Sequence, residues 1–256
     1  MLLADYGHFL SIASASKWDE RALDLRRDAT AWPQLGEAAV ADQLEPFARA
    51  DARADRSACF RAQAEDEARH AHFFDRVAAE VVRVPGQTPG DRRDALRRLL
   101  EPRYRELFEQ RLPAATRRLA ADRAGLGPAV ALYHMVLEGL VFTAGQLAML
   151  ELLGGLDLPG LRRGLELVLR DERWHLGFGA RALQDLGLDE AAVERLLGDE
   201  VAELEAWGDV LDDATAERVA VLHRRRLRAA GLAPPTPPTD AKTPAGAGVG
   251  LLDGVE

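Results

Sequence analysis

Two Glu-x-x-His quartets, Glu67-Ala68-Arg69-His70 and Glu172-Arg173-Trp174-His175, are the residues of this chain best suited to chemistry, and none of the other four histidines has a glutamate three residues before it. A carboxylate and an imidazole three positions apart lie on one side of an α-helix. Each quartet interrupts an apolar stripe: Phe60, Ala64, Phe74, Val77 and Val81 around the first, Leu161, Leu165, Val168 and Gly179 around the second. Ionisable groups on a core-facing stripe need a counter-charge, a proton or a metal ion. Carboxylate oxygen with imidazole nitrogen suits iron or manganese, which stay above four-coordinate and keep positions open for dioxygen. One such quartet is weak evidence by itself. For each quartet the plain alternative is a buried ion pair or a hydrogen-bonded polar pair in the core.

Two further glutamates read as inward-facing. Residues 129–150, AVALYHMVLEGLVFTAGQLAML, carry Glu138 as their only formally charged side chain. A helix apolar on nearly every side belongs in the middle of a bundle, where Glu138 is a ligand or a protonated, hydrogen-bonded core acid. Glu37 follows Trp32-Pro33, a proline placed where a helix tolerates it best. It shares a helical face with Val40, Leu44 and Phe47, though an acid so near a helix start is also favoured by the helix dipole alone. A glutamate from each of two helices with Glu-x-x-His from each of two more is the ligand pattern of ferritin-like di-iron and di-manganese carboxylate bundles. Metal ions there offset carboxylates that would otherwise repel one another. Asp171, beside Glu172, is placed either to orient a ligating histidine or to sit on the surface.

These positions need long helices to carry them. The chain predicts an entry segment over residues 1–32, weakly helical around Lys17 to Asp28, then a helix from Pro33 kinked at Pro46. A helix from about Asp55 to Val84 follows, with shorter pieces over residues 91–123 interrupted at Pro102 and Pro113. The central apolar helix ends at Gly154-Gly155, and the next starts at Pro159. An Asp189 cap opens a helix to about Leu211, with Glu190, Glu194, Glu203 and Glu205 on a solvated side, and a basic helix runs to about Ala230. The reading is one all-α, four-helix-bundle domain with flanking helices over residues 1–230, and a disordered Pro- and Gly-rich tail over 231–256.

Composition agrees with helix: 256 residues, 47% hydrophobic, with few aromatics and few β-branched runs. A net charge of −9 argues against nucleic acid or an anionic membrane as partner. The arginine-rich stretches (Arg92, Arg93, Arg97, Arg98; Arg224 to Arg226) read as solvated helix faces. A single cysteine, Cys59, fits a reducing compartment, and the N-terminus lacks the basic region of a signal peptide. The central helix, with Glu138 and several small residues at its middle, is not read as a membrane span, so the expected location is the cytoplasm.

The segments WDERALDLRRDATAW, GEAAVADQLEPF, EDEARHAHFF, YRELFEQRLP, YHMVLEGLVFTAG and RDERWHLGFG resemble the small-subunit family of class I ribonucleotide reductase, and within it the ligand-binding oxidase branch. The resemblance runs from about Lys17 to Gln184. It implies a first metal, manganese, held by Glu37, Glu67 and His70, and a second, iron, held by Glu138, Glu172 and His175, with Glu67 bridging; two irons are the variant. It implies dioxygen as co-substrate, an ether bond between Val40 and Tyr133, a long-chain fatty-acid-like ligand and a homodimer. Gly139, Ala144 and Gly145 then read as room for an apolar channel, or else as close helix packing. The chain departs from the family in a shortened stretch between Trp32 and Glu37, in the region after Gly187, and at Gln146, where relatives carry tyrosine. Two other functions stay in view: a true radical-generating reductase subunit, disfavoured by a tail without Tyr or Trp, and a metal-binding bundle without catalysis.

Overall fold

The computed structural model describes residues 4–25, 43–187, 200–229 and 231. Among them the chain is helical, with no strand. Glu37 and Val40, the expected helix start at Pro33, the Asp189 cap with Glu190 and Glu194, and all of the expected tail except Gly231 lie outside the described residues.

Helix α1 (Tyr6–Ala15) starts where the Asp5 side chain accepts the His8 N–H at 2.8 Å. This corrects the expected helix around Lys17 to Asp28: the described part of that stretch holds only a 3₁₀ turn, Glu20–Ala22, capped by Asp19. The cap chemistry decides, because Asp5 precedes an apolar run and Lys17-Trp18-Asp19 does not. Helix α2 (Glu45–Ala50) carries Pro46 in its first turn, so within the described residues this proline opens a helix rather than kinking one.

Helix α3 (Ala54–Arg76) continues as a π-helical stretch, Val77–Val82, and closes at Arg83 in the left-handed region. Helix α4 (Pro89–Arg97) has a capping box, with Thr88 and Asp91 bonding each other's backbone. Helix α5 joins Pro102–Glu106, a π-helical Leu107–Arg111 and Leu112–Ala121 into one rod. Pro102 sits in the first turn of the rod, and Pro113, expected to interrupt it, lies within it just after the π-helical stretch without breaking it.

Helix α6 is the centre of the bundle. It runs as Leu126–Val130, then a π-helical stretch Ala131–Phe142, then Thr143–Leu152. Every residue from Ala131 to Gln146 is buried. Residues Arg123–Gly155 are long and apolar enough to cross a membrane by length and composition, but 78% of their most apolar window is buried inside the fold. Helix α7 (Pro159–Leu186) packs on α3 and α6 and ends at Gly187. Helix α8 (Glu200–Leu204) and helix α9 (Asp213–Ala229) also lie against α6.

In the folded chain one polar expectation changes and one open alternative is decided. Glu203 is 6% exposed rather than solvated, because α5 presents Arg103 at 2.9 Å and Arg111 at 2.6 Å to its carboxylate. The room at Gly139 and Gly145 is already filled. A Cβ on Gly145 would lie 2.0 Å from the Trp207 ring, and one on Gly139 would lie 3.2 Å from Leu176 and 3.3 Å from His223. At these two positions the small residues serve close packing.

Candidate metal centre

Helices α3, α6 and α7 each turn carboxylates to one dry point. Ligand atoms from Glu67, Glu138, Glu172 and His175 all lie within 4.8 Å of one another, and these residues are at most 4% exposed. His175 Nδ1 lies 3.4 Å from Glu67, 3.5 Å from Glu172 and 3.7 Å from Glu138. His70 closes the other side, with Nδ1 3.7 Å from Glu67 and 3.6 Å from Glu172. Glu67 and Glu172 therefore face both imidazoles, while Glu138 faces His175. Of the six residues singled out from the sequence, the structure brings five together; Glu37 lies outside the described residues.

Each imidazole is held from behind by an aspartate of the opposite quartet. His70 Nε2 lies 3.3 Å from Asp171, which precedes Glu172, and His175 Nε2 lies 3.4 Å from Asp66, which precedes Glu67. Both aspartates accept an indole N–H, Asp171 from Trp18 at 2.7 Å and Asp66 from Trp174 at 3.0 Å. Arg69 hydrogen-bonds Asp66 and sits 3.7 Å from Asp171. An aspartate on Nε2 fixes the tautomer and leaves Nδ1 facing the carboxylates. Of the two roles open to Asp171 in the sequence, the structure gives it this one, and it adds Asp66, which the sequence reading does not single out. The signal was in the sequence, since Asp-Glu-x-x-His occurs twice.

Glu138 is steered by a second chain of contacts. Gln63, one turn before Glu67 on α3, donates Nε2 to Glu138 Oε1 at 2.5 Å, and its Oε1 lies 2.9 Å from His134 Nε2. Burial and the nearby His175 push His134 down to about 3, so it is neutral. An amide on an apolar stripe belongs to no motif, so nothing in the local sequence marks Gln63.

The π-helical run explains Tyr133. Five residues separate it from Glu138, and five residues of an α-helix span about 500°, which leaves the two side chains roughly 140° apart. Bonding of the i→i+5 type brings such residues back onto one face. Tyr133 is fully buried and donates its hydroxyl to Glu67 Oε1 at 3.1 Å. Burial and the charges of Glu67, Glu138 and Glu172 raise it well above a normal phenol, so it keeps its proton.

The charges around the cluster are unbalanced. Burial works against ionised Glu67, but the nearby His70 and the charge of His175 outweigh it and hold Glu67 at about 2. Burial is the main cause that raises Glu172. Burial opposes a charged His175, yet Asp66, Glu172 and Glu67 together lift it to about 10. Even so, Glu67 Oε2, both oxygens of Glu172 and Nδ1 of His175 are buried without a hydrogen bond among the described residues. Buried carboxylate oxygens without a donor are costly. Oxygen and imidazole nitrogen atoms converging at this spacing fit a hard or borderline divalent cation.

No protein-family model matches the chain. Among solved structures, an R2-like ligand-binding oxidase mutant with anaerobically reconstituted Mn/Fe cofactor superposes with a TM-score of 0.73 at 23% identity, over 88% of this chain and 93% of that one. A second mutant with aerobically reconstituted Mn/Fe cofactor gives 0.68 at 22%, over 90% and 92%. A third, with a non-activated Mn/Mn cofactor, gives 0.68 at 22%, over 88% and 92%. The chain thus has the all-α, ferritin-like fold of the R2-like ligand-binding oxidases.

Proposed function

We propose that this chain is a dimetal oxidase of the R2-like ligand-binding oxidase type, with Glu67, His70, Glu138, Glu172, His175 and Glu37 as metal ligands. The observation that carries the reading is the closure of two Glu-x-x-His quartets and Glu138 on one dry point, with buried oxygens lacking donors. Manganese with iron, as in the structural neighbours, or two irons suits that donor set. A bound metal pair of this kind supplies one-electron steps and open positions at which dioxygen is activated.

The chain's own residues prepare the ground for this. Asp66 and Asp171 orient the histidines, Gln63 orients Glu138, and the apolar sleeve of α6 excludes water. The Tyr133 hydroxyl, kept protonated against Glu67, is the acceptor proposed for an ether bond to Val40, formed with loss of two hydrogens to dioxygen as oxidant. A fatty-acid-like ligand, a homodimer and a cytoplasmic location complete the reading. The free, buried Cys59 supports a reducing compartment.

Metal analysis after aerobic loading with manganese and iron is expected to give close to two metal ions per chain, and Glu138→Ala is expected to lose iron. A chain without bound metal, or unchanged iron in Glu138→Ala, refutes the assignment. Peptide mapping of the oxygen-exposed sample is expected to find the Val40 and Tyr133 peptides fused and two hydrogens lighter. Separate, unmodified peptides refute the ether bond while leaving the metal site intact.

A further inference from the structure

Beyond the carboxylate cluster, α6 turns a second polar edge towards α9. Thr143 donates its hydroxyl to the backbone carbonyl of Glu138 at 2.8 Å, and Arg226 of α9 reaches the same hydroxyl oxygen at 3.4 Å. One turn before Arg226, His223 is 1% exposed; it hydrogen-bonds the Gly139 backbone, while its Nε2 has no partner among the described residues. One turn after Thr143, Gln146 is 3% exposed and its amide nitrogen donates to nothing among the described residues. The two helices thus put a guanidinium, an amide donor and an imidazole on one seam.

Arg224 and Arg225 are exposed as expected of a solvated face, but Arg226 is partly buried, and it has no ion-pair partner among the described residues. The charges that act on it are Arg173, of like sign, and Glu172, which is turned into the carboxylate cluster. Burial and Arg173 pull its guanidinium down to about 10. A cation withdrawn from most of its water without an ion-pair partner, and a buried amide nitrogen without an acceptor, are both costly. One planar oxyanion answers both, since a guanidinium fork matches a carboxylate in geometry as well as charge. His223 Nε2 can accept from a hydroxyl or water beside it. Arg226 is only half-buried, so the seam can be reached from outside.

We propose that the α6–α9 seam is an anion subsite, separate from the carboxylate cluster, in which Arg226 and Gln146 hold the carboxylate of a small organic acid. Sodium acetate, titrated into the metal-free full chain at constant ionic strength against chloride, tests this. An arginine side-chain NMR signal that is absent from Arg226→Lys is expected to shift saturably with acetate. Arg226→Gln is expected to weaken binding, followed by the acetate-dependent rise in the unfolding midpoint, by at least about tenfold. Gln146→Leu is expected to weaken it less, and it decides the matter if Arg226→Gln does not fold. Absence of saturation in the unaltered chain, unchanged binding in the variant that decides, or saturation by phosphate but not acetate overturns the proposal. Metal content of the same samples is read separately, so failure here is distinct from failure of the dimetal reading.

Discussion

Gly179→Ala probes how closely α6 and α7 must approach to make the centre. A Cβ at position 179 would lie 2.3 Å from both Cβ and Cγ of His134. Carbon atoms pack best at about 3.5–4.0 Å, so the overlap exceeds about 1 Å. The struck atoms are rooted on the α6 backbone and cannot swing aside, so either the helices separate or His134 leaves its place. Overpacking of this kind costs about 1–3 kcal/mol. Losing the hydrogen bonds that run from His134 through Gln63 to Glu138 adds about 1 kcal/mol for each. The sum, about 3–5 kcal/mol, is a large share of a stability of about 5–15 kcal/mol. Urea unfolding of the metal-free chain is expected to show a midpoint lower by about 1 M. Gly154→Ala is the control: nothing lies within 4 Å of its added Cβ, and a gain of up to about 1 kcal/mol is expected. Equal midpoints for Gly179→Ala and the unaltered chain would refute the argument from helix approach.

Removing either aspartate behind a histidine, as Asp66→Asn or Asp171→Asn, is expected to weaken metal retention by about 10–100-fold against a competing chelator, with the fold unchanged by circular dichroism; retention equal to the unaltered chain counts against the orienting role. The metal-free chain is expected to lose stability between pH 7 and 9.5. His175 is lifted to about 10 in the folded state, so its contribution is complete below an unfolded value of about 6.5 and is lost as pH rises towards 10. On the acid side, Glu67 contributes above about pH 4.5 and its share is lost as pH falls through 2, while the raised Glu172 works in the opposite sense and softens that limb. Urea midpoints across pH check both limbs, and stability that rises from pH 7 to 9.5 refutes the charge assignment. Adding metal near pH 7 is expected to release protons into weakly buffered solution, since His175 must shed its proton to bind.

The parts of the centre that were legible in the sequence are those whose chemistry repeats at helical spacing. Glu67 with His70 and Glu172 with His175 announce themselves because charged residues on an apolar stripe are expensive, and Glu138 because nothing else near it is charged. The place of Tyr133 was legible only through resemblance, since α-helical periodicity puts it on the wrong side and the π-helical run restores it. Gln63 and Trp18 act through hydrogen bonds across more than 70 residues of chain, which no local pattern reports. Glu203 looked solvated because its partners, Arg103 and Arg111, come from a distant helix. Whether Gly145 served a channel or close packing stayed open in the sequence, which does not show that Trp207 lies against it.

The crossed bracing of the two quartets has a consequence for filling the centre. Asp66 stands beside Glu67 yet steadies His175, and Asp171 stands beside Glu172 yet steadies His70. Under the proposed ligand assignment, the first ion to arrive immobilises one quartet and, through its aspartate, prepays the ordering of the other imidazole. Uptake of the two ions is then expected to be cooperative, with a half-loaded protein scarce at equilibrium.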